Sequence, residues 1–158
     1  MGTIRFIVSL PVWYYAAAAL IGLGIWLWKR RWVPALLAAY AFYLFSLAVL
    51  ARKSGDGPIY MLHLFWSYAD WERQGLQIVA NIAAFVPLGL LLGLEFGWIG
   101  IAGGAGFSVL IELLQLLTWR GFFEFDDMIH NSLGTLLGVA LAVLLARRRG
   151  RKTDDPSS

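Results

Sequence analysis

The chain has 158 residues, of which 59% are hydrophobic and 15% are charged, and its mean hydropathy is +0.68. A soluble domain of this size cannot bury so much apolar surface in one core, whereas a bilayer accepts several apolar helices of about 20 residues each. The composition therefore excludes a soluble domain and predicts an all-α fold, a polytopic integral membrane bundle. The chain has no cysteine, which excludes disulfides, thiolate metal sites and cysteine nucleophiles.

The net charge of +3 arises mainly from basic residues that flank apolar segments. Lys29–Arg31 follow the first apolar run, and the cluster between Arg147 and Lys152 follows the last one. Clusters of this kind mark the cytoplasmic ends of membrane helices. We therefore expect no binding to nucleic acid.

Five apolar stretches are long enough to span a bilayer. In chain order they cover residues 6–28, 32–51, 76–95, 97–118 and 128–146. Placing both basic clusters in the cytoplasm predicts about five transmembrane helices with an N-out/C-in orientation.

This topology places the loops around 52–75 and 119–127 outside. Residues 1–152 are expected to form a single transmembrane domain. The polar segment 153–158 is expected to be a disordered cytoplasmic tail.

The longest segment between two spans, residues 52–74, is rich in aromatic side chains. We expect a turn at Gly55–Pro58 and then a helix on the outer membrane interface. The segment is either an aromatic belt at the headgroup level or a lid over a lipid-binding cleft. Its aromatic residues are Tyr60, Trp66, Tyr68 and Trp71.

In the third span, Asn81 lies in the outer half and is followed by Pro87. Proline removes one hydrogen bond from the helix. Pro87 either produces a kink that opens a cavity on the outer side or produces a plain packing kink.

Glu112 lies inside the otherwise uncharged fourth span. A carboxylate in hydrocarbon is costly unless it is protonated, paired or facing a cavity, so Glu112 is a candidate functional residue. Ser108, Glu112, Gln115 and Trp119 follow a 4, 3, 4 spacing, which places them on one helical face. Arg120 shares roughly that face and is expected to pair with an acid, to bind an anionic headgroup, or to extend to the interface.

In the fifth span, Asp127, Asn131, Gly134 and Gly138 follow the same spacing, and the two glycines form a Gly-x-x-x-Gly surface. We expect this face to pack closely against the polar face of the fourth span. Asp126 and Asp127 precede the span, where carboxylates either cap a helix or take part in chemistry.

The predicted topology places these polar residues of three helices in the outer half of the bundle. Two of them, Glu112 and Asp127, are catalytic candidates. His130 lies off the Asp127 face and is interpreted as a packing or interfacial residue, and His63 is left undecided. No metal site is predicted, and no cofactor is indicated. The candidate ligand-binding residues are Asn81, Ser108, Glu112, Gln115, Arg120, Asp126, Asp127 and Asn131.

The ordered set of motifs between about residues 76 and 146 resembles the VanZ-like family. The motifs are Asn81-Ile-Ala-Ala-Phe-Val-Pro-Leu-Gly89, then Ser108-x-x-x-Glu112-x-x-Gln115, then Arg120, then Asp126-Asp127-x-x-x-Asn131-x-x-Gly134-x-x-x-Gly138. The resemblance implies a small bacterial integral membrane protein, and the expected location is therefore the bacterial cytoplasmic membrane. It also implies a link with low-level resistance to the glycopeptide teicoplanin, which carries a lipid tail.

Three functions are compatible with these residues. The first is binding of a lipid headgroup or lipoglycopeptide at the outer leaflet, with Arg120 holding an anion. The second is hydrolysis or transfer on an envelope lipid, with Glu112 or Asp127 as general base or metal ligand. The third is a structural or assembly subunit whose polar residues tie helices together. The expected partners are membrane lipids, a lipoglycopeptide or a lipid-linked envelope precursor.

Overall fold

The computed structural model describes residues 10–57 and 59–153, with side chains up to Arg148. Apolar runs in the sequence form the helices, and the polar segments between them form the connections. Six α-helices occur in the described residues: α1 (Val12–Lys29), α2 (Trp32–Phe45), α3 (Trp66–Ala69), α4 (Trp71–Phe96), α5 (Gly100–Thr118) and α6 (Phe125–Thr153). The shorter elements are a π-helical turn (Ser46–Leu50), β1 (Ile59–Met61), a 3-10 turn (Gly97–Ile99) and β2 (Phe122–Glu124).

Four stretches of the described chain are long and apolar enough to cross a membrane: Val12–Lys29, Trp32–Leu50, Trp71–Thr118 and Phe125–Arg148. The third of them contains both α4 and α5, joined by the 3-10 turn. The long helices α1, α2, α4, α5 and α6 thus correspond to the five predicted spans. The all-α membrane bundle is confirmed.

The helix boundaries differ from the apolar stretches where polar residues continue a helix. Helix α4 begins at Trp71 rather than near 76, because Glu72, Arg73 and Gln74 form its first turns. Helix α6 extends to Thr153, which belongs to the predicted tail. The remainder of that tail, 154–158, and the predicted start of the first span at 6–9 lie outside the described residues.

The Gly-x-x-x-Gly surface of α6 packs against α4. A Cβ atom at Gly134 would collide with the carbonyl oxygen of Ile82, and one at Gly138 would collide with that of Val86. Small residues allow such close backbone approach. The prediction of a close helix contact is confirmed, but the glycines face α4 and not α5. Gly89 of α4 accounts for this packing, because the absence of a Cβ atom at Gly89 also allows the backbone of α6 to approach α4 closely.

The two loops at one end of the bundle are joined by a short parallel β-pairing. Ile59 is aligned with Phe122, and Met61 with Glu124. Nearby, the backbone N–H of Gly55 donates to the carbonyl of Trp119 at 2.6 Å. The sequence predicted an interfacial helix here, whereas α3 is a single turn and the strand pairing was not predicted.

The opposite end is held by an ion pair between Arg31 and Glu95, with Nη1 to Oε1 at 3.0 Å and Nη2 to Oε2 at 3.1 Å. The basic cluster after α1 therefore contacts the C-terminal end of α4, next to the turn between α4 and α5. This arrangement agrees with the predicted alternation of loops between the two ends. The assignment of this end to the cytoplasm stays a prediction.

Helix α4 continues through Pro87 without interruption. Proline leaves the preceding turn short of a donor. In that turn, the carbonyl of Ala84 accepts a hydrogen bond from the Tyr40 hydroxyl at 2.9 Å. The contact ties α4 to α2 at Ala84, a residue that also lines a cavity between these helices.

Candidate ligand site

A partly open cavity of about 130 Å³ lies between α2, α4, α5 and α6, at the end of the bundle that carries the paired loops. One part of its wall is apolar and comes mainly from α4, the end of α2 and the π-helical turn that follows α2. The other part is polar, and its residues are Arg52, Asn81, Glu112, Gln115, Asp127 and Asn131. Five of the eight predicted ligand-binding residues thus share one cavity, while their binding to a ligand stays a prediction.

Glu112 is almost completely buried, with 1% of its surface exposed. Its Oε2 atom accepts a hydrogen bond at 2.9 Å from the backbone N–H of Glu124 in β2. A buried carboxylate needs such a partner. Glu112 therefore both lines the cavity and holds the loop above it.

Asp127 connects α6 to α4. Its Oδ1 atom accepts a hydrogen bond at 2.7 Å from the Asn81 side-chain amide. Both residues line the cavity. The predicted polar face of the fifth span is therefore joined through this pair to the third span.

Two buried amide side chains complete the polar wall. Gln115 donates to the carbonyl of Ala48 at 2.9 Å, and Asn131 donates to the Ser108 hydroxyl at 2.9 Å. Ser108 is fully buried behind Asn131 and does not line the cavity. Its role is to position Asn131.

The π-helical turn Ser46–Leu50 makes backbone carbonyls accessible to side chains. The N–H of Ala51 bonds to the carbonyl of Ser46, five residues earlier, at 2.9 Å. Wide turns of this kind are frequent at functional sites. Here the carbonyl of Ala48 accepts from Gln115, and the carbonyl of Leu50 accepts from Arg120 at 2.9 Å.

Arg52, which the sequence analysis did not single out, is the cation in the polar wall among the described residues. Its guanidinium interacts electrostatically with Glu112, Asp127 and Glu124. The available signal was an arginine directly after an apolar span. By itself this signal indicates only the beginning of a loop.

Glu124 was also missed, although an acid among phenylalanines at 122, 123 and 125 is unusual. It is 5% exposed. Burial, followed by the negative charge of Asp127, raises the pKa of Glu124 to about 7, while Arg52 acts in the opposite direction. Glu124 therefore adds a third carboxyl group beside Glu112 and Asp127.

Arg120 and Asp126 do not line the cavity. Arg120 was expected to pair with an acid or an anionic headgroup, or to extend to the interface, but it donates to the Leu50 carbonyl instead. Asp126 accepts hydrogen bonds from the backbone N–H groups of Phe65 at 2.6 Å and Ser67 at 3.0 Å, and from the Ser67 hydroxyl at 2.5 Å. Both residues thus hold other segments of the chain, and Asp126 braces the loop that leads into α3.

His130 is buried, and its Nε2 atom lies 2.9 Å from the Tyr68 hydroxyl. Its Nδ1 atom has no hydrogen-bond partner among the described residues. This placement agrees with the interpretation of His130 as a packing residue. His63 is exposed in the loop.

No group of three or more His, Cys, Asp or Glu side chains within the described ranges is arranged to hold a metal ion. The cavity offers carboxylates, amides and one guanidinium instead. Groups of this kind recognise a polar ligand by hydrogen bonds and charge.

The sequence profile of the family described as VanZ/LLP1 matches residues 31–146, well over half of the chain. The chain belongs to the VanZ-like family. The matched range contains every polar residue of the cavity, so the site of this VanZ-like protein lies within the family domain.

A curated relative is Protein VanZ of Enterococcus faecium, which is 30% identical over 83 residues. The alignment covers 50% of this VanZ-like chain and 52% of the relative, so the chain spans about half the length of the curated relative it matches. No solved structure matches the chain.

Proposed function

We propose that this VanZ-like protein binds the headgroup of an envelope lipid in the cavity between α2, α4, α5 and α6. The observation that carries the proposal is the composition of the wall, which combines apolar residues with buried charged and amide groups at one end of a membrane bundle. A lipid offers the same combination where its headgroup joins its chains. In the N-out/C-in orientation, the cavity faces the outer leaflet of the bacterial cytoplasmic membrane.

The size of the cavity limits what can enter it. An engineered apolar cavity of about 150 Å³ holds a molecule the size of benzene. At about 130 Å³, this cavity accommodates a single headgroup and not a whole glycopeptide. Contact with a lipoglycopeptide such as teicoplanin would therefore involve one of its groups, and a contribution to glycopeptide resistance would depend on that contact.

The positions of the charges change the roles expected from the sequence. Arg120 is engaged with the Leu50 carbonyl, so Arg52 is the guanidinium that can meet a ligand in the cavity. Glu112, Asp127 and Asn131 provide polar contacts on the facing helices. In this arrangement the protein recognises a headgroup without needing turnover.

Catalysis on an envelope lipid is the second candidate, because Glu112 and Asp127 line the same cavity as Arg52. One carboxyl would act as general base, and the guanidinium would stabilise developing negative charge. A third role, as a structural or assembly subunit, agrees with the hydrogen bonds that Glu112 and Asp127 make between segments.

One experiment separates the three functions. Purified wild type and Glu112→Gln are incubated with a panel of envelope lipids that includes polyprenyl phosphates, and the lipids are analysed by mass spectrometry. Glu72→Gln is the matched control, because Glu72 is exposed in the first turn of α4.

Lipid retained unchanged by wild type and by Glu72→Gln, but lost from Glu112→Gln, supports headgroup binding. A new product made by wild type and absent with Glu112→Gln identifies an enzyme. If all three proteins retain the same amount of each lipid and none forms a product, Glu112 takes no part in binding or catalysis. This outcome refutes both functions that place a ligand in the cavity and leaves the structural role.

A further inference from the structure

The charges that line the cavity are unbalanced. Among the described residues, its wall contains the carboxyl groups of Glu112 and Asp127 and one guanidinium, that of Arg52. Glu124 adds a further buried carboxyl group that interacts with the same guanidinium. Buried charge without a counter-charge is costly, so the site favours a ligand that brings positive charge.

The buried amides provide a second, independent indication. Gln115 is 2% exposed and Asn131 is 5% exposed, and both line the cavity. Their nitrogen atoms donate to Ala48 and Ser108, whereas their side-chain oxygens have no hydrogen-bond partner among the described residues. The Oε1 atom of Glu112 is likewise left without a partner in that part of the chain. These oxygens belong to residues of the cavity wall, where they can accept hydrogen bonds from a ligand that carries donors.

A primary ammonium group meets both requirements, because it carries one positive charge and three donors and accepts no hydrogen bond. We infer that the headgroup bound in this cavity carries a primary ammonium, held by the carboxylates of Glu112 and Asp127 and by the amide oxygens of Gln115 and Asn131. With Arg52 as the second positive charge, the ammonium balances the two carboxylates of the wall. The inference rests on the proposed function, and it names the chemical class of the ligand.

The cavity volume agrees with this class. An aminoethyl group with its adjoining oxygen has four non-hydrogen atoms, which is fewer than the six of benzene, and benzene fits a cavity of similar size. The apolar part of the wall then faces the carbon atoms next to the ammonium. It includes Leu44 of α2, Leu47 of the π-helical turn, and Ala80 and Ala84 of α4.

The test uses the full chain in nanodiscs that contain three phospholipids with identical acyl chains in equal amounts. One has an ethanolamine headgroup, the second has the same headgroup with an N-acetyl group, and the third has a glycerol headgroup. Lipids that remain bound after release from the nanodisc are quantified by native mass spectrometry. N-acetylation removes the charge and two donors while retaining the rest of the headgroup.

We expect the wild type to retain the ethanolamine lipid roughly tenfold or more over its N-acetyl derivative, as is usual when a charged hydrogen bond is lost. The preference is expected to disappear in Glu112→Gln and to persist in Glu72→Gln. Asp127→Asn provides a second variant that keeps an oxygen to accept from Asn81, in case Glu112→Gln fails to fold. Folding of each variant is checked by its thermal unfolding.

Addition of free ethanolamine distinguishes two sources of the group. Displacement of the lipid shows that the ammonium alone is recognised, and persistence shows that the ammonium is recognised on a lipid; both results support the inference. Equal retention of the N-acetyl lipid, or preference for the glycerol headgroup, overturns the ammonium inference while the proposed function stands. If the wild type retains none of the three lipids and none of the wider panel, the proposed function itself fails.

Discussion

Neutralising Glu124 should change how the stability of the protein depends on pH. Burial disfavours its ionisation most, the charges of Asp127 and Asp126 add to this effect, and Arg52 favours the ionised form. Together these effects raise the pKa of Glu124 from 4.5 to about 7. A rise of this size corresponds to about 3 kcal/mol of stability that is lost when the carboxyl group is ionised in the folded protein.

The direction follows from proton binding. Because the pKa is higher in the folded state, the folded protein binds more protons than the unfolded chain between about pH 4.5 and about pH 7. The contribution of Glu124 to stability is therefore greatest at low pH, falls through this window and is constant above it. Glu124→Gln removes the cost of the charge and should stabilise the protein by up to about 3 kcal/mol at pH 8, with little effect at pH 5.

The measurement is unfolding of wild type and Glu124→Gln in the same detergent, followed by tryptophan fluorescence at a series of pH values. The substitution leaves the backbone N–H that donates to Glu112 in place. Glu72→Gln, at an exposed position, controls for a general effect of losing one acid. A stability difference between Glu124→Gln and wild type that does not vary with pH would refute the reasoning.

Three further predictions follow from other contacts. Asp126→Ala removes one hydrogen bond from the loop before α3 and two from Ser67 within α3, and it should destabilise the protein by about 3 kcal/mol. Unchanged protease cleavage of this segment and an unchanged unfolding midpoint would contradict this role. Gly138→Leu should separate α4 from α6 and lower the unfolding midpoint strongly. Gly106→Leu should not lower it, because a Cβ atom at Gly106 meets nothing within 4 Å. Equal effects of the two substitutions would show that close packing of α4 against α6 does not determine the stability. A single cysteine introduced at Ser54 should react with an impermeant maleimide in intact cells, whereas one introduced at Ser158 should not. The reverse labelling pattern would show that the orientation is opposite to the predicted one.

The sequence predicted the helices well because span length and hydropathy are local properties. The stretch 97–118 already defines α5, and the one near 76–95 defines most of α4. Helical periodicity also predicted correctly that Glu112, Gln115 and Asn131 face the interior. Polar residues at a common depth on three helices were sufficient to predict at which end of the bundle the polar cavity lies and most of the polar side chains that line it.

The sequence did not predict contacts between segments that are distant along the chain. The partner of Arg120 is a backbone carbonyl made accessible by the π-helical turn, and neither the turn nor the carbonyl has a side-chain signature. Asp126 resembles a helix cap, but its oxygens accept from a loop about 60 residues earlier. Arg52 and Glu124 lie in connections where hydropathy gives little guidance, so the charge balance of the cavity emerged only from the structure.

The pairing of β1 with β2 has a consequence for the order in which the protein assembles. Residues 59–61 are made early, but their partners at 122–124 follow only after α4 and α5. Until then Glu112 lacks the N–H of Glu124, and the loop before α3 lacks the carboxylate of Asp126. The segments that complete the cavity are thus the last part of the bundle to be synthesised. A nascent chain that stops before β2 lacks the last of the five long helices and has no finished site.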